Sequence, residues 1–155
     1  MKLLLKIVCW FCIKGINRHI KVRFNKYNTC YSLTDDKLYI NVLDEDDCGF
    51  IRHLKNKHYC NYAEDYDILT WAILHEIGHC ETQYFVVEDD DSGYRDLLNR
   101  IDYDLLQQNE ALQDVYYDLP LEREASEWAI SYEYEHQDKI IFYDKIINKL
   151  KRKIK

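Results

Sequence analysis

The sequence predicts an α+β fold: a small, partly antiparallel sheet followed by helices. Three observations predict it. Short segments between His19 and Val42 alternate polar and apolar residues, the period of a strand with one buried face. From Asp67 to Cys80, apolar residues cover nearly the whole circumference of a helix, the mark of a buried one. Beyond Pro120, apolar residues recur at helical spacing almost to the end of the chain.

The elements follow in order. Residues 1–15, MKLLLKIVCWFCIKG, read as a first helix or strand of the folded domain. Lys6 interrupts the apolar run and no small-residue cleavage site follows, which argues against a signal peptide. The run is also too short to span a bilayer. His19–Phe24 is a strand, Thr29–Leu33 a second, Thr34–Asp36 a turn and Lys37–Val42 a third strand. Asp44–Tyr66 is less regular, with one helix placed around Cys48–Lys57. The buried helix of Asp67–Cys80 comes next, then a loop at Glu88–Gly93 and one helix within Tyr94–Tyr117. Pro120 opens a further helix, since proline is tolerated in a first turn. It carries Ala125, Trp128, Ala129 and Tyr132 at helical spacing. A basic amphipathic helix at about 137–155 closes the chain, with Ile140, Tyr143, Ile147 and Leu150 on one face.

A chain of 155 residues is read as a single domain, 1–155. A domain of that size buries about 70% of its unfolded surface and needs no disulfide staples. Four glycines and one proline leave no room for a linker. The net charge of −7 argues against a general nucleic-acid binder. The charge is uneven: Asp44–Asp47 and Glu88–Asp91 are acidic, while Lys145, Lys149, Lys151, Arg152, Lys153 and Lys155 make the end basic. The basic end fits a helix C-terminus, where the macrodipole favours cations. Six cysteines show no regular framework, which points to a reducing, cytoplasmic compartment. Cys9 and Cys12 form the one CxxC; without a second pair they read as core residues rather than a zinc site.

The chemistry concentrates in His75-Glu76-Ile77-Gly78-His79. On a helix, residues at i and i+4 lie one above the other, so two imidazoles can share one zinc ion. Glu76 then stands beside the metal as a general base. The competing explanation is two buried histidines satisfied by hydrogen bonds. Two histidines and a glutamate on so apolar a helix are costly without a task, which favours the metal. A catalytic zinc takes three protein ligands and keeps one position open. No histidine follows at short spacing, because Gln83-Tyr84-Phe85 stands there. The third ligand is therefore expected from Glu122, Glu124 or Glu127 in Leu121–Ala129. If Ala125, Trp128, Ala129 and Tyr132 face the core, Glu124 lies on the edge of that face. Glu122 lies nearer the helix start and Glu127 projects away; the phase favours Glu124.

The motifs HEIGH and EREASEWA (Glu122–Ala129) resemble those of the ImmA/IrrE family of metallopeptidases, and Leu38–Asn41 is similar to that family's strand before the active-site helix. The likeness runs from about Ile20 to Tyr134, with only the two helical motifs specific. Ser126 and Trp128 stand where asparagine and phenylalanine are common, the stretches on either side of the HEIGH helix are long, and no LP follows Tyr132. The resemblance implies a zincin-like, gluzincin-like fold and a zinc-dependent endopeptidase found in bacteria, phages and mobile elements. It implies Zn2+ on His75, His79 and Glu124, the glutamate directly before the alanine, with Glu76 catalytic. It also implies a protein substrate, a helix-turn-helix transcriptional repressor.

Tyr132, Tyr134 and His136 are the expected oxyanion donors, and the edge of the sheet along Lys37–Val42 the expected docking line for an extended substrate. No membrane and no direct nucleic-acid partner is expected. The rival expectation is a non-catalytic regulator of the same fold that binds a repressor or another protein.

Overall fold

A computed structural model describes residues 1–27, 29–32, 34–43, 66–89, 100 and 102–154. The predicted α+β class holds: a three-stranded sheet and a larger helical part. The helix expected around Cys48–Lys57 lies outside the described residues.

Helix α1 (Lys2–Ile16) buries Leu5, Cys9, Cys12 and Ile13, one stripe at helical spacing. Asn17 ends it. Its Oδ1 accepts the N–H groups of His19 and Ile20, a side-chain turn that steers the chain into the sheet. Strands β1 (Lys21–Phe24), β2 (Cys30–Ser32) and β3 (Lys37–Ile40) stand in the order β1-β3-β2. β1 runs parallel to β3, with Val22 opposite Leu38, and β2 antiparallel to it, with Tyr31 opposite Leu38. Asp36 turns the β2–β3 hairpin at φ 51°, a left-handed conformation that aspartate tolerates better than most residues.

Alternation along β3 turns Leu38 and Ile40 inward, onto helix α2 (Ile68–Asp89). There they join Leu5, Ile13, Leu69, Ile73, Ile77 and Ile147 in the main core. Each side chain buried this fully contributes about 1.5–3 kcal/mol. α2 runs further than the apolar pattern to Cys80 indicates and takes in Glu88 and Asp89, which the sequence assigns to a loop.

The one helix expected within Tyr94–Tyr117 is broken: among the described residues it includes α3 (Tyr103–Gln108) and a separate α4 (Glu110–Tyr117). Asn109 ends the first and caps the second, its Oδ1 accepting from Ala111 and Leu112 N–H. Helix α5 (Pro120–Glu135) opens on its proline, and α6 (Gln137–Arg152) follows after His136.

α2 packs chiefly against α5, and α1 against α6. A polar clasp fixes the start of α2. Asp67 accepts the Leu69 N–H and pairs with Lys151 at 2.7 Å, while Asp144 accepts from the Asp67 N–H and the Thr70 hydroxyl. Lys151, expected to serve the helix C-terminus, is thus buried in an ion pair. Cys9 and Cys12 are core thiols as expected; burial pushes Cys9 up to about 12 and Cys12 well above the usual range. Cys9, Cys12 and Cys80 are free thiols. No helix among the described residues is long and apolar enough to cross a membrane.

Candidate metal centre

The site forms where α2 and α5 touch. Gly78 makes that contact possible: a Cβ there would collide with the backbone of Ala125. With no side chain in the way, α5 lies directly on the second turn of the HEIGH motif. Ala125 and Ala129, both fully buried, keep α5 thin along the same line. The inward face of α5 is Glu122, Ala125, Ser126, Ala129 and Glu133, spaced three and four residues apart.

Glu122 therefore points at both histidines. Its Oε2 lies 3.0 Å from His75 Nε2 and 3.4 Å from His79 Nε2. The two imidazoles meet edge to face, ring centres 4.6 Å apart. All three residues are between 4% and 9% exposed. They form the one group of three or more potential metal ligands found among the described residues, with ligand atoms within 4.8 Å of one another.

A second layer holds these groups. The Tyr116 hydroxyl donates to Glu122 Oε1 at 2.7 Å. Ser126 Oγ donates to the Glu122 carbonyl at 2.8 Å and lies 3.4 Å from His75 Nδ1. His79 Nδ1 is buried and has no hydrogen-bond partner among the described residues. Glu76 sits on the sheet side of α2, where its Oε2 accepts the Tyr31 N–H at 2.6 Å.

The charges follow from burial and proximity. Burial pushes Glu76 up to about 7; Glu122 adds to the rise, while His79 and the Tyr31 N–H oppose it. Burial disfavours charge on His79, yet the Glu122 carboxylate outweighs it and raises the imidazole to about 9. Burial also pushes Glu122 up, but the charge of His79 and hydrogen bonds from both histidines hold it well below the usual carboxylate range. Without a metal, the two shifts favour a protonated His79 facing an ionised Glu122.

The donor set fits zinc. Tetrahedral zinc with bonds of about 2.0–2.1 Å spaces its ligand atoms about 3.3 Å apart. The observed 3.0 and 3.4 Å bracket that spacing. Two imidazole nitrogens and one carboxylate oxygen also match the three-ligand chemistry of a catalytic site.

Sequence reasoning placed His75, Glu76 and His79 correctly on one helix, but favoured Glu124 over Glu122. Glu124 is half-buried and stands two residues from Glu122, about 200° around the helix axis. It is absent from the ligand group. Glu127 projects away as expected, exposed and 3.9 Å from Arg123.

Of the expected oxyanion donors, two are stacked on each other and the third is exposed. Tyr134 is 83% exposed, His136 stacks on Tyr132, and Tyr132 lies between Trp128 and His136 with its hydroxyl on Lys139. The expected docking line along Lys37–Val42 is not an edge: β3 is the central strand, paired with β1 on one side and β2 on the other. Three contributors escaped the sequence reading. Ser126 and Gly78 had a signal, being small residues on helices that cross closely. Tyr116 had none, since its approach depends on how α4 folds back.

No known protein family, curated protein or solved structure matches this chain.

Proposed function

We propose that the chain is a zinc-dependent endopeptidase of zincin-like design, with His75, His79 and Glu122 as metal ligands and Glu76 as the catalytic base. One observation carries the reading: two imidazoles and a carboxylate converge, buried, with one carboxylate oxygen 3.0 and 3.4 Å from the two imidazole nitrogens, close to the separation of zinc ligands, and a second carboxylate, Glu76, directly follows His75. When bound there, zinc supplies Lewis acidity, polarising a peptide carbonyl and acidifying water.

The protein's own residues do the rest. Glu76 takes a proton from the attacking water and returns it to the leaving nitrogen. Its Oε2 rests on the Tyr31 N–H, which orients the carboxylate and leaves Oε1 for the proton. Tyr116 and Ser126 lock Glu122 and His75 in place. By the motif resemblance, the substrate is a protein, a helix-turn-helix repressor.

The second reading is a non-catalytic regulator of the same fold. The Tyr31–Glu76 hydrogen bond favours it in one respect: Glu76 has a structural task, so its presence alone does not demand catalysis. One experiment separates the two. Purified protein should carry about one zinc per chain, and co-expressed repressor should be cut. Glu76→Gln should keep zinc and the fold but leave the repressor intact. Cleavage by Glu76→Gln at the wild-type rate overturns the peptidase; an intact repressor co-purifying with wild type selects the regulator.

A further inference from the structure

Helix α1 is amphipathic in an unusual sense, with an apolar stripe on each side. One stripe is the core face already described. The other consists of Leu3, Leu4, Ile7, Trp10 and Phe11, which recur over three turns on the opposite side. All five are exposed, Leu3 at 71% and Phe11 at 60%, and the Trp10 and Phe11 rings meet edge to face at 5.1 Å. Five exposed apolar side chains on one helix face make the kind of patch that marks an interaction site.

Charge names the partner. Lys139 in the first turn of α6 donates to the Gly15 carbonyl in the last turn of α1, so the two helices run antiparallel. The last turn of α6, with exposed Lys149, Arg152 and Lys153, therefore lies by the first turn of α1, which adds Lys2. This end is basic on a chain of net charge −7. Apolar side chains with an interfacial tryptophan, bordered by lysines and arginines, match an anionic lipid headgroup layer. A second copy would bring the same positive charge to the rim. A helix of 15 residues is too short to span a bilayer but long enough to lie in its surface.

We propose that α1 docks the protein on anionic membrane surfaces, inserting Leu3, Ile7, Trp10 and Phe11 while the basic end of α6 contacts the headgroups. The stripe lies on another helix from the metal ligands, so docking stands or falls independently of the peptidase reading.

The test is flotation of the full chain with phosphatidylcholine vesicles, with and without phosphatidylserine. The protein should float with the phosphatidylserine vesicles only, and salt should release it. Trp10 emission should shift to the blue, a shift lost in Trp10→Phe. Phe11→Glu and Leu3→Glu should each weaken partitioning about tenfold or more with an unchanged melting temperature, because both residues are exposed. Lys149→Glu with Arg152→Glu should abolish the preference for phosphatidylserine. Chelation should change nothing. The proposal is overturned by no flotation with either vesicle, by equal flotation with both, or by undiminished flotation of both stripe variants. A dimer that Phe11→Glu dissociates, without flotation, assigns the stripe to a second copy and likewise overturns it.

Discussion

Glu122 Oε2 lies 3.0 Å from His75 Nε2, across the contact between two helices whose relevant residues are 47 positions apart in the chain. The same oxygen lies 3.4 Å from His79 Nε2, so one carboxylate oxygen serves both imidazoles. Glu122→Gln should therefore lower zinc affinity more than about 100-fold, beyond the usual cost of losing a supporting group. Glu124→Gln and Glu127→Gln should leave it unchanged. Metal content after dialysis against a competing chelator checks this, and equal loss in all three would reject Glu122 as ligand.

Gly78 and Ala125 set the distance that the site depends on. A methyl group at Gly78 meets the Ala125 backbone, which has no rotamer to escape through. Gly78→Ala should cost about 1–3 kcal/mol by overpacking, despite alanine's better helix propensity. It should also push α5 outward and weaken zinc binding. A denaturant melt of the chelated protein and a zinc titration measure the two effects separately. Unchanged stability would mean that the helices have slack here.

Why the sequence yields His75, Glu76 and His79 but not Glu122 is a matter of distance along the chain. The first three are fixed by a local i, i+4 repeat. The third ligand depends on which face of α5 turns inward. Hydropathy gives the wrong weight to that face, because Glu122, Ser126 and Glu133 are polar yet buried. Trp128 and Tyr132 are apolar yet only partly covered, stacked on each other at 5.0 Å. The small residues Gly78, Ala125 and Ala129 decide the face instead. The strands were legible from alternation, but their order was not. β3 takes the centre through pairings with both β1 and β2 that no local pattern encodes.

Tyr116 and Ser126 should tune the site without touching a bound metal. The Tyr116 hydroxyl is the one donor to Glu122 Oε1 among the hydrogen bonds described, and Ser126 stands at the outer nitrogen of His75. Tyr116→Phe and Ser126→Ala should each reduce zinc affinity about 10–100-fold, with little change in secondary structure by circular dichroism. Wild-type affinity in both would show that the ligands are held by packing alone.

Lys151 should matter far more than its neighbours in the basic tail. Its ammonium is buried against Asp67 at 2.7 Å, at the start of α2. Lys151→Ala leaves the Asp67 carboxylate in that clasp without its cation and should cost about 3–5 kcal/mol. Lys149→Ala and Lys153→Ala, both exposed, should cost less than about 0.5 kcal/mol. Urea melts of the three variants decide, and comparable values would show that Lys151 is solvated.

The metal-free site should reveal itself through pH. The Glu122 carboxylate overcomes burial and raises His79 to about 9, above its unfolded value of 6.5. That contribution to stability is fully present below pH 6.5 and is lost as pH rises through about 9. Glu122 shifts the other way, so its contribution is present above its unfolded value of 4.5 and is lost as pH falls through the lowered folded value. As far as this pair sets it, the chelated protein should melt highest between pH 4.5 and 6.5. Zinc must displace the proton on His79, so affinity should rise about tenfold per pH unit below the raised value. Titrations against a chromophoric chelator at several pH values read this slope. A flat profile near neutrality would mean that His79 is already neutral and that the buried ion pair does not form.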